Sequence, residues 1–252
     1  MLLVVDLQKA DVWKRMAAWL LDAMLLCVAV VGVGLLLSAL LGYDGHYQQY
    51  EARFDQYITE YELQGVNLAA PADEQEQKQV DKALQAMQSD KELIRLGNLL
   101  PNLMLIIVTF AILITMVLLE VLVPLWLKNG QTIGKKMFAV GIIRVDGVKL
   151  STFQLFARTV LGKFTIETMI PVYVAVMALF GRMSLAGLIL VGGLALIQLI
   201  CLFVTSTNSA IHDLLAGTIV VDISSQQVFK SPEELIEYTK RIHAEEASRK
   251  EY

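Results

Sequence analysis

Asp22 is the residue most in need of an explanation, because it sits inside the apolar run from Met16 to Leu41. An ionised carboxylate at the centre of a membrane helix costs about 2.5 to 3.5 kcal/mol on insertion scales. It must therefore be paired, protonated or turned toward other protein. Arg15 lies seven positions earlier on nearly the same helical face, about 10 Å along the axis, so the Arg15/Asp22 face should point into a bundle. Glu120 is the second such acid, eight residues before the basic segment that opens at Lys128, at a depth comparable to Asp22. Two carboxyls at one depth can share a proton or hold a cation, which makes Asp22 and Glu120 a candidate ion or proton site. Glu167 follows Lys163 by four residues, and an i,i+4 pair at the interface accounts for it more cheaply. Asp213 follows the last apolar run by nine residues and should lie at the level of Arg15. An Arg15 to Asp213 ion pair would join the first helix to the closing segment.

Other chemistries fail on spacing. Gly130 to Lys136 has a glycine-lysine pair but not the phosphate-loop spacing, and no strand precedes it. His46, His212 and His243 fall on different segments, Cys27 and Cys201 lie at different depths of apolar runs, and no serine, histidine and acid are convincingly combined. The reading is of a protein that is not an enzyme, with no catalytic residues, no metal ligands and no cofactor. A disulfide between Cys27 and Cys201 is not expected. The glycines Gly187, Gly192 and Gly193 suit close helix packing.

Hydrophobic residues make up 56% of the 252, and a mean hydropathy of +0.55 is too apolar for an ordinary globular chain. The excess comes in lengths that match a bilayer. Transmembrane helices are predicted at 16–41, 99–127, 164–180 and 185–204, the third being the least apolar because of Glu167 and Pro171. The first run is longer than the roughly 7 to 15 residues of a signal peptide's apolar region and contains an aspartate, so it reads as a retained helix. Lys128, Lys135, Lys136, Arg144, Lys149, Arg158 and Lys163 face a single acid, Asp146, between the second and third runs. By the positive-inside rule this segment, 128–163, is cytoplasmic. The lead, 1–15, and the closing segment and tail, 205–252, then fall on the same side. The polar segment 42–98, with five basic residues against eleven acids, falls outside, as does the turn carrying Arg182.

Within 42–98, Tyr47, Tyr50, Phe54, Tyr57 and Tyr61 recur at helical spacing, and Val80, Leu84, Met87 and Ile94 repeat beyond a turn near Asn67 to Pro71. Two antiparallel helices burying these stripes against each other would form an outer stalk, and the same stripes would alternatively offer a docking surface for a partner helix. In the basic segment, Ala139 to Val145, Asp146-Gly147 and Val148 to Leu150 read as a small surface hairpin, which Gly217 to Asp222 could join. Gln154 to Leu161 reads as an interfacial helix, with Arg158 and Lys163 at headgroup depth. Lys135, Lys136, Arg144 and Arg158 are then candidates for binding the membrane surface. Ser231-Pro232-Glu233-Glu234 opens a charged tail helix running to about Glu246.

Three stretches resemble the RDD family of bacterial membrane proteins, named for one arginine and two aspartates. Arg15-Met16-Ala17-Ala18-Trp19-Leu20-Leu21-Asp22 is similar to the family's first helix. Gly130-Gln131-Thr132-Ile133-Gly134-Lys135-Lys136 is similar to its G-x-T-x-G-K segment, and His212-Asp213-Leu214-Leu215-Ala216-Gly217-Thr218 to its closing segment. The resemblance implies the signature Arg15, Asp22 and Asp213, and covers about Lys14 to Asp222. It departs at the outer segment, which the family commonly keeps shorter. It also implies a broad association with transport, including proposed cation/proton antiport.

The expected fold is all-α: a polytopic membrane helical bundle of about four transmembrane helices, with an outer helical hairpin and a small cytoplasmic surface hairpin. The expected partners are the lipid bilayer and either a membrane protein or another copy of the chain, not nucleic acid. Two functions compete, an accessory or assembly subunit of a cell-membrane complex and a small transporter or cation/proton exchanger.

Overall fold

The computed structural model describes residues 7–127, 130–181, 183–205 and 208–250, the last without the side chains of Glu246, Arg249 and Lys250. Lys128, Arg182 and the outermost residues of the lead and tail lie outside the described residues. Four helices among those described are long and apolar enough to cross a bilayer: Val12–Leu41, Lys91–Trp126, Thr152–Leu179 and Leu185–Val204. The chain is an all-α polytopic bundle. In the first and fourth of these helices the most apolar stretch has no buried residue, so lipid must cover them.

The first helix, α1 (Val12–Leu41), starts earlier than the apolar run, because the Asp11 carboxylate accepts from the backbone N–H of Trp13 at 2.9 Å. Arg15 therefore belongs to the first turn rather than to a lead before it.

Residues Gly32–Ala111 form one compact unit. After α1 the chain turns at Gly42 (φ 64°) directly into α2 (Tyr43–Glu60). Its rings stack in i,i+4 pairs, Tyr43 on Tyr47, Tyr50 on Phe54 and Tyr57 on Tyr61, with centroids 6.2–6.5 Å apart. A turn returns the chain into α3 (Glu74–Ser89), whose N-cap Asp73 accepts from Gln75 and Glu76. Leu63, Val80 and Ala83 are buried together with Ile58, Tyr61, Val66 and Leu68 around them. The second stripe differs from the expected one. Leu84 and Ile94 are exposed, while Ala83, Leu93, Leu96 and Leu100 are buried with Val80 and Met87. The helix stops at Ser89 and restarts as α4 (Lys91–Met116). Asp90, in extended backbone, caps the new helix through the N–H groups of Glu92 and Leu93, and the interruption resets the register.

The other unit comprises the described residues on either side of that one. Here α4 passes into a wide-turn (π) segment, Val117–Leu122, and ends as α5 (Val123–Trp126). A short α6 (Ile133–Met137) leads to strand β1 (Val140–Arg144). The expected interfacial helix and third span are one continuous helix: α7 (Thr152–Phe156), a long π segment (Ala157–Met169) and α8 (Ile170–Leu179). Its start is fixed by a capping box between Ser151 and Gln154. Then come α9 (Leu185–Val204), α10 (Ile211–Ala216), strand β2 (Thr218–Asp222) and α11 (Pro232–Lys250). β1 and β2 pair antiparallel, Val140 opposite Asp222 through Arg144 opposite Thr218. Single bridges add Lys9 beside Val221, Lys149 beside Ile143 and Phe229 beside Val148. Ile143, Ile219 and Val221 are buried in this small sheet, and Val148 and Phe229 form a buried pair on which Leu7, Leu235 and Tyr238 pack.

Candidate ion-pair site at the helix ends

Asp22 reaches into the segment from Gly130 to Lys136. Its Oδ1 accepts from the Gly134 N–H at 2.7 Å, and its Oδ2 accepts from the Thr132 hydroxyl. Lys135 Nζ lies 3.8 Å from Oδ2 and 3.3 Å from Thr132 Oγ1. Thr132 also caps α6 by accepting from the Lys135 N–H. The carboxylate thus satisfies backbone and side-chain donors at the start of another helix, which offsets the cost of burying it. The fit depends on Gly134: a β-carbon there would collide with the Ala18 carbonyl oxygen and stand 2.9 Å from the Asp22 carboxyl carbon. Lys135 is largely buried. Burial, with Arg158 and Lys163 nearby, pushes its ammonium down to about 8 against the opposing pull of Glu120 and Asp22.

Glu120 sits in the first π segment, where its Oε1 accepts from Lys163 Nζ. Its Oε2 is buried and has no hydrogen-bond partner among the described residues. Asp22, Leu25, Leu26, Leu119, Glu120 and Ile133 enclose a cavity of about one water's size.

The third constellation ties the third span to α10. Arg158 Nε donates to Asp213 Oδ1 at 2.8 Å, and the two side chains are only 4% and 2% exposed. Thr218 Oγ1 donates to the same oxygen at 2.9 Å. Burial pushes the Asp213 carboxyl up, but the charges of Arg158 and His212 and the hydrogen bonds from Arg158 and Thr218 outweigh it and hold it well below the usual range. His212 lies between Arg158 Nη2 (2.8 Å from Nε2) and Glu167 Oε2 (2.7 Å from Nδ1). Glu167 Oε1 accepts from the His212 backbone N–H at 2.9 Å. A β-carbon on Gly162 would stand 2.6 Å from His212 Cβ, so glycine is what lets α10 approach.

These positions correct several sequence expectations. Arg15 does not pair with Asp213; its Nη2 donates to the Asn208 carbonyl at 2.9 Å, and Arg158 takes the aspartate instead. Arg158, Lys163 and Lys135 each meet an acid of the chain, Asp213, Glu120 and Asp22 respectively. Of the four candidates for surface binding, Lys136 is exposed and Arg144 is half-buried against Asp146 at 2.6 Å. Glu167 does not pair with Lys163 but with His212. The cause is the π segment, whose backbone bonds join residues five apart; the Thr165 and Thr168 hydroxyls likewise donate to the Val160 and Lys163 carbonyls, both at 2.8 Å. Arg158 and Lys163 are five apart and the i,i+4 pairing of a regular α-helix is lost. Sequence reasoning missed His212, although its place beside Asp213 was visible. Both cysteines are free, and no metal-binding cluster occurs among the described residues.

Bilayer-length helices tied together by buried charges define a multi-pass integral membrane protein. The chain belongs to the RDD family, whose model matches residues 9–217. No curated protein and no solved structure matches it.

Proposed function

We propose that this RDD-family protein is an accessory or assembly subunit of a cell-membrane complex, with both ends and the segment 128–163 on the cytoplasmic side and the helical hairpin of residues 43–89 on the outer side. The observation that carries this reading is that each of the four acids Asp22, Glu120, Glu167 and Asp213 is engaged by a donor from a different segment. Asp22 meets Thr132, Gly134 and Lys135; Glu120 meets Lys163; Glu167 meets His212; Asp213 meets Arg158. Cross-links of this kind hold segments in one arrangement, whereas an exchanger needs acids that change partners along a polar path. A rigid bundle carrying a polar outer hairpin is suited to holding something else. The partner is either another membrane protein or a second copy of the chain.

The second reading is a small cation/proton exchanger, and one observation favours it: Glu120 Oε2 is unpartnered beside a cavity that Asp22 also lines. A stoichiometric cross-linked species in native membranes, lost when residues 44–89 are replaced by a short linker, is expected from the accessory role. Cation-driven proton flux in proteoliposomes of the purified chain, abolished by Asp22→Asn, would instead establish the exchanger and end the first reading.

A further inference from the structure

His212 lies outside the arginine and aspartates that name the family, yet its surroundings define its protonation state. A guanidinium only donates, so an Arg158 Nη2 at 2.8 Å requires a lone pair on His212 Nε2. The ring proton then sits on Nδ1 and is donated to Glu167 Oε2 at 2.7 Å. In this arrangement the ring is neutral. A second proton, on Nε2, removes the acceptor that holds Arg158 Nη2 and sets a positive charge against the guanidinium. Asp213 Oδ2, 3.6 Å from Nε2, is the acceptor to which that proton turns, in competition with Arg158 for the same carboxylate. Gly162 lies against His212 Cβ, so strain in the ring passes to the backbone of α10 rather than being absorbed by a swing of the side chain.

We propose that His212 is a proton-binding site that latches the closing segment to the third span: neutral, it joins Glu167 to Arg158 and holds α10 in place; protonated, it displaces Arg158 and loosens α10. The charged groups facing the ring are Arg158 and Glu167 from the third span and Asp213 from its own helix. Arg15 of α1 acts on Asp213 and Arg158, and the α9 contact is uncharged, Gln198 accepting from the Ile211 N–H at 3.1 Å. Burial and the Arg158 charge push the ring's proton affinity down, against Asp213 and Glu167. A histidine depressed in the folded state contributes stability that is full above its unfolded value, about 6.5, and is lost as pH falls below it.

The test is hydrogen exchange of the segment 208–217 in the full-length protein in nanodiscs, corrected for the intrinsic pH dependence of exchange. A ring that titrates near 6.5 once released raises the opening constant about tenfold between pH 7.5 and 5.5. His212→Gln, which offers an acceptor and a donor but does not titrate, should remove that step, whereas His46→Gln and His243→Gln should leave it. A step that survives in His212→Gln overturns the proposal. Should that variant fail to fold, nitrogen NMR of the wild-type ring decides: a protonated Nδ1 and bare Nε2 at pH 7.5 are expected, and the proton on Nε2, or a ring titrating above 6.5, is the contrary result.

Discussion

Arg158 and Asp213 meet at 2.8 Å with almost nothing of either side chain exposed, whereas Arg53 and Asp90 meet at 2.6 Å with 45% of the arginine exposed. The two pairs have the same chemistry and nearly the same geometry, so any difference in what they do must come from their surroundings. Arg158 has no water to fall back on. Its Nη2 contacts His212 Nε2, and its carboxylate partner is shared with Thr218. Arg53 can exchange its partner for solvent at little cost, and Asp90 keeps its other work, accepting from Tyr57 at 3.0 Å and capping α4. A buried pair is therefore a joint between segments, and an exposed pair is an accessory to a helix cap.

The largest effect should follow from breaking the buried joint on one side. Asp213→Ala leaves a guanidinium without its counter-charge and is expected to cost about 3 to 5 kcal/mol, read as a large fall in Tm in detergent or as loss of folded protein. The double variant Arg158→Met with Asp213→Leu should recover much of that, because two apolar groups need no partners. Arg15→Gln sharpens the contrast. Among the described residues its side chain donates to the Asn208 carbonyl, and its loss should be milder than Arg158→Gln; equal losses would return Arg15 to the role of Asp213's partner. Next in size are the close approaches. Gly134→Val and Gly162→Ala each force a β-carbon against a neighbouring segment and should cost about 1 to 3 kcal/mol. Unchanged Tm values would mean that α6 and α10 do not seat against α1 and the third span as described.

The bilayer-crossing runs were legible because length and hydropathy alone decide them. Asp22 and Glu120 were legible as residues needing partners, since an acid in an apolar run is conspicuous whatever it touches, and Asp213 was legible from the resemblance of the closing segment. Their partners were not. Finding Lys163 for Glu120 and Arg158 for Asp213 requires knowing that Ala157–Met169 is a π segment, with backbone bonds between residues five apart, and no side chain in that stretch announces one. The pairing of β1 with β2 could be read from two β-branched runs, Gly141 to Val145 and Thr218 to Val221. The reset of register at Asp90 showed in the apolar pattern only as a weak register at Lys91, and the cap that causes it could not be read there.

Lys135 supplies a smaller effect with a definite sign. Its ammonium is pushed down to about 8 in the folded protein from 10.5, so between those values the unfolded chain binds more protons. Stability is then expected to rise as pH climbs from about 8 to 10.5 and to gain nothing from this group below 8. Other lysines and tyrosines titrate in the same range, so the quantity to read is the difference between wild type and Lys135→Met in thermal unfolding. A difference that does not vary across that range would place Lys135 in water, no longer held between Asp22 and Glu120.

The smallest effect belongs to the exposed pair, and it separates the two functions of Asp90. The Arg53 guanidinium beside it, with the N–H groups of Leu93 and Glu92 and the Tyr57 hydroxyl, outweighs burial and holds its carboxyl well below the usual range. A depressed carboxylate contributes stability that is present above its unfolded value and is lost as pH falls toward the folded one. Asp90→Asn keeps a carbonyl oxygen for the two N–H groups and removes the charge facing Arg53, so the start of α4 should stay protected from hydrogen exchange. Asp90→Ala removes both and should fray the junction between α3 and α4. Arg53→Ala should alter exchange at that junction less than Asp90→Ala does. If Arg53→Ala frays it equally, the ion pair rather than the cap holds the hairpin, and the distinction between joint and accessory fails for this half of the molecule.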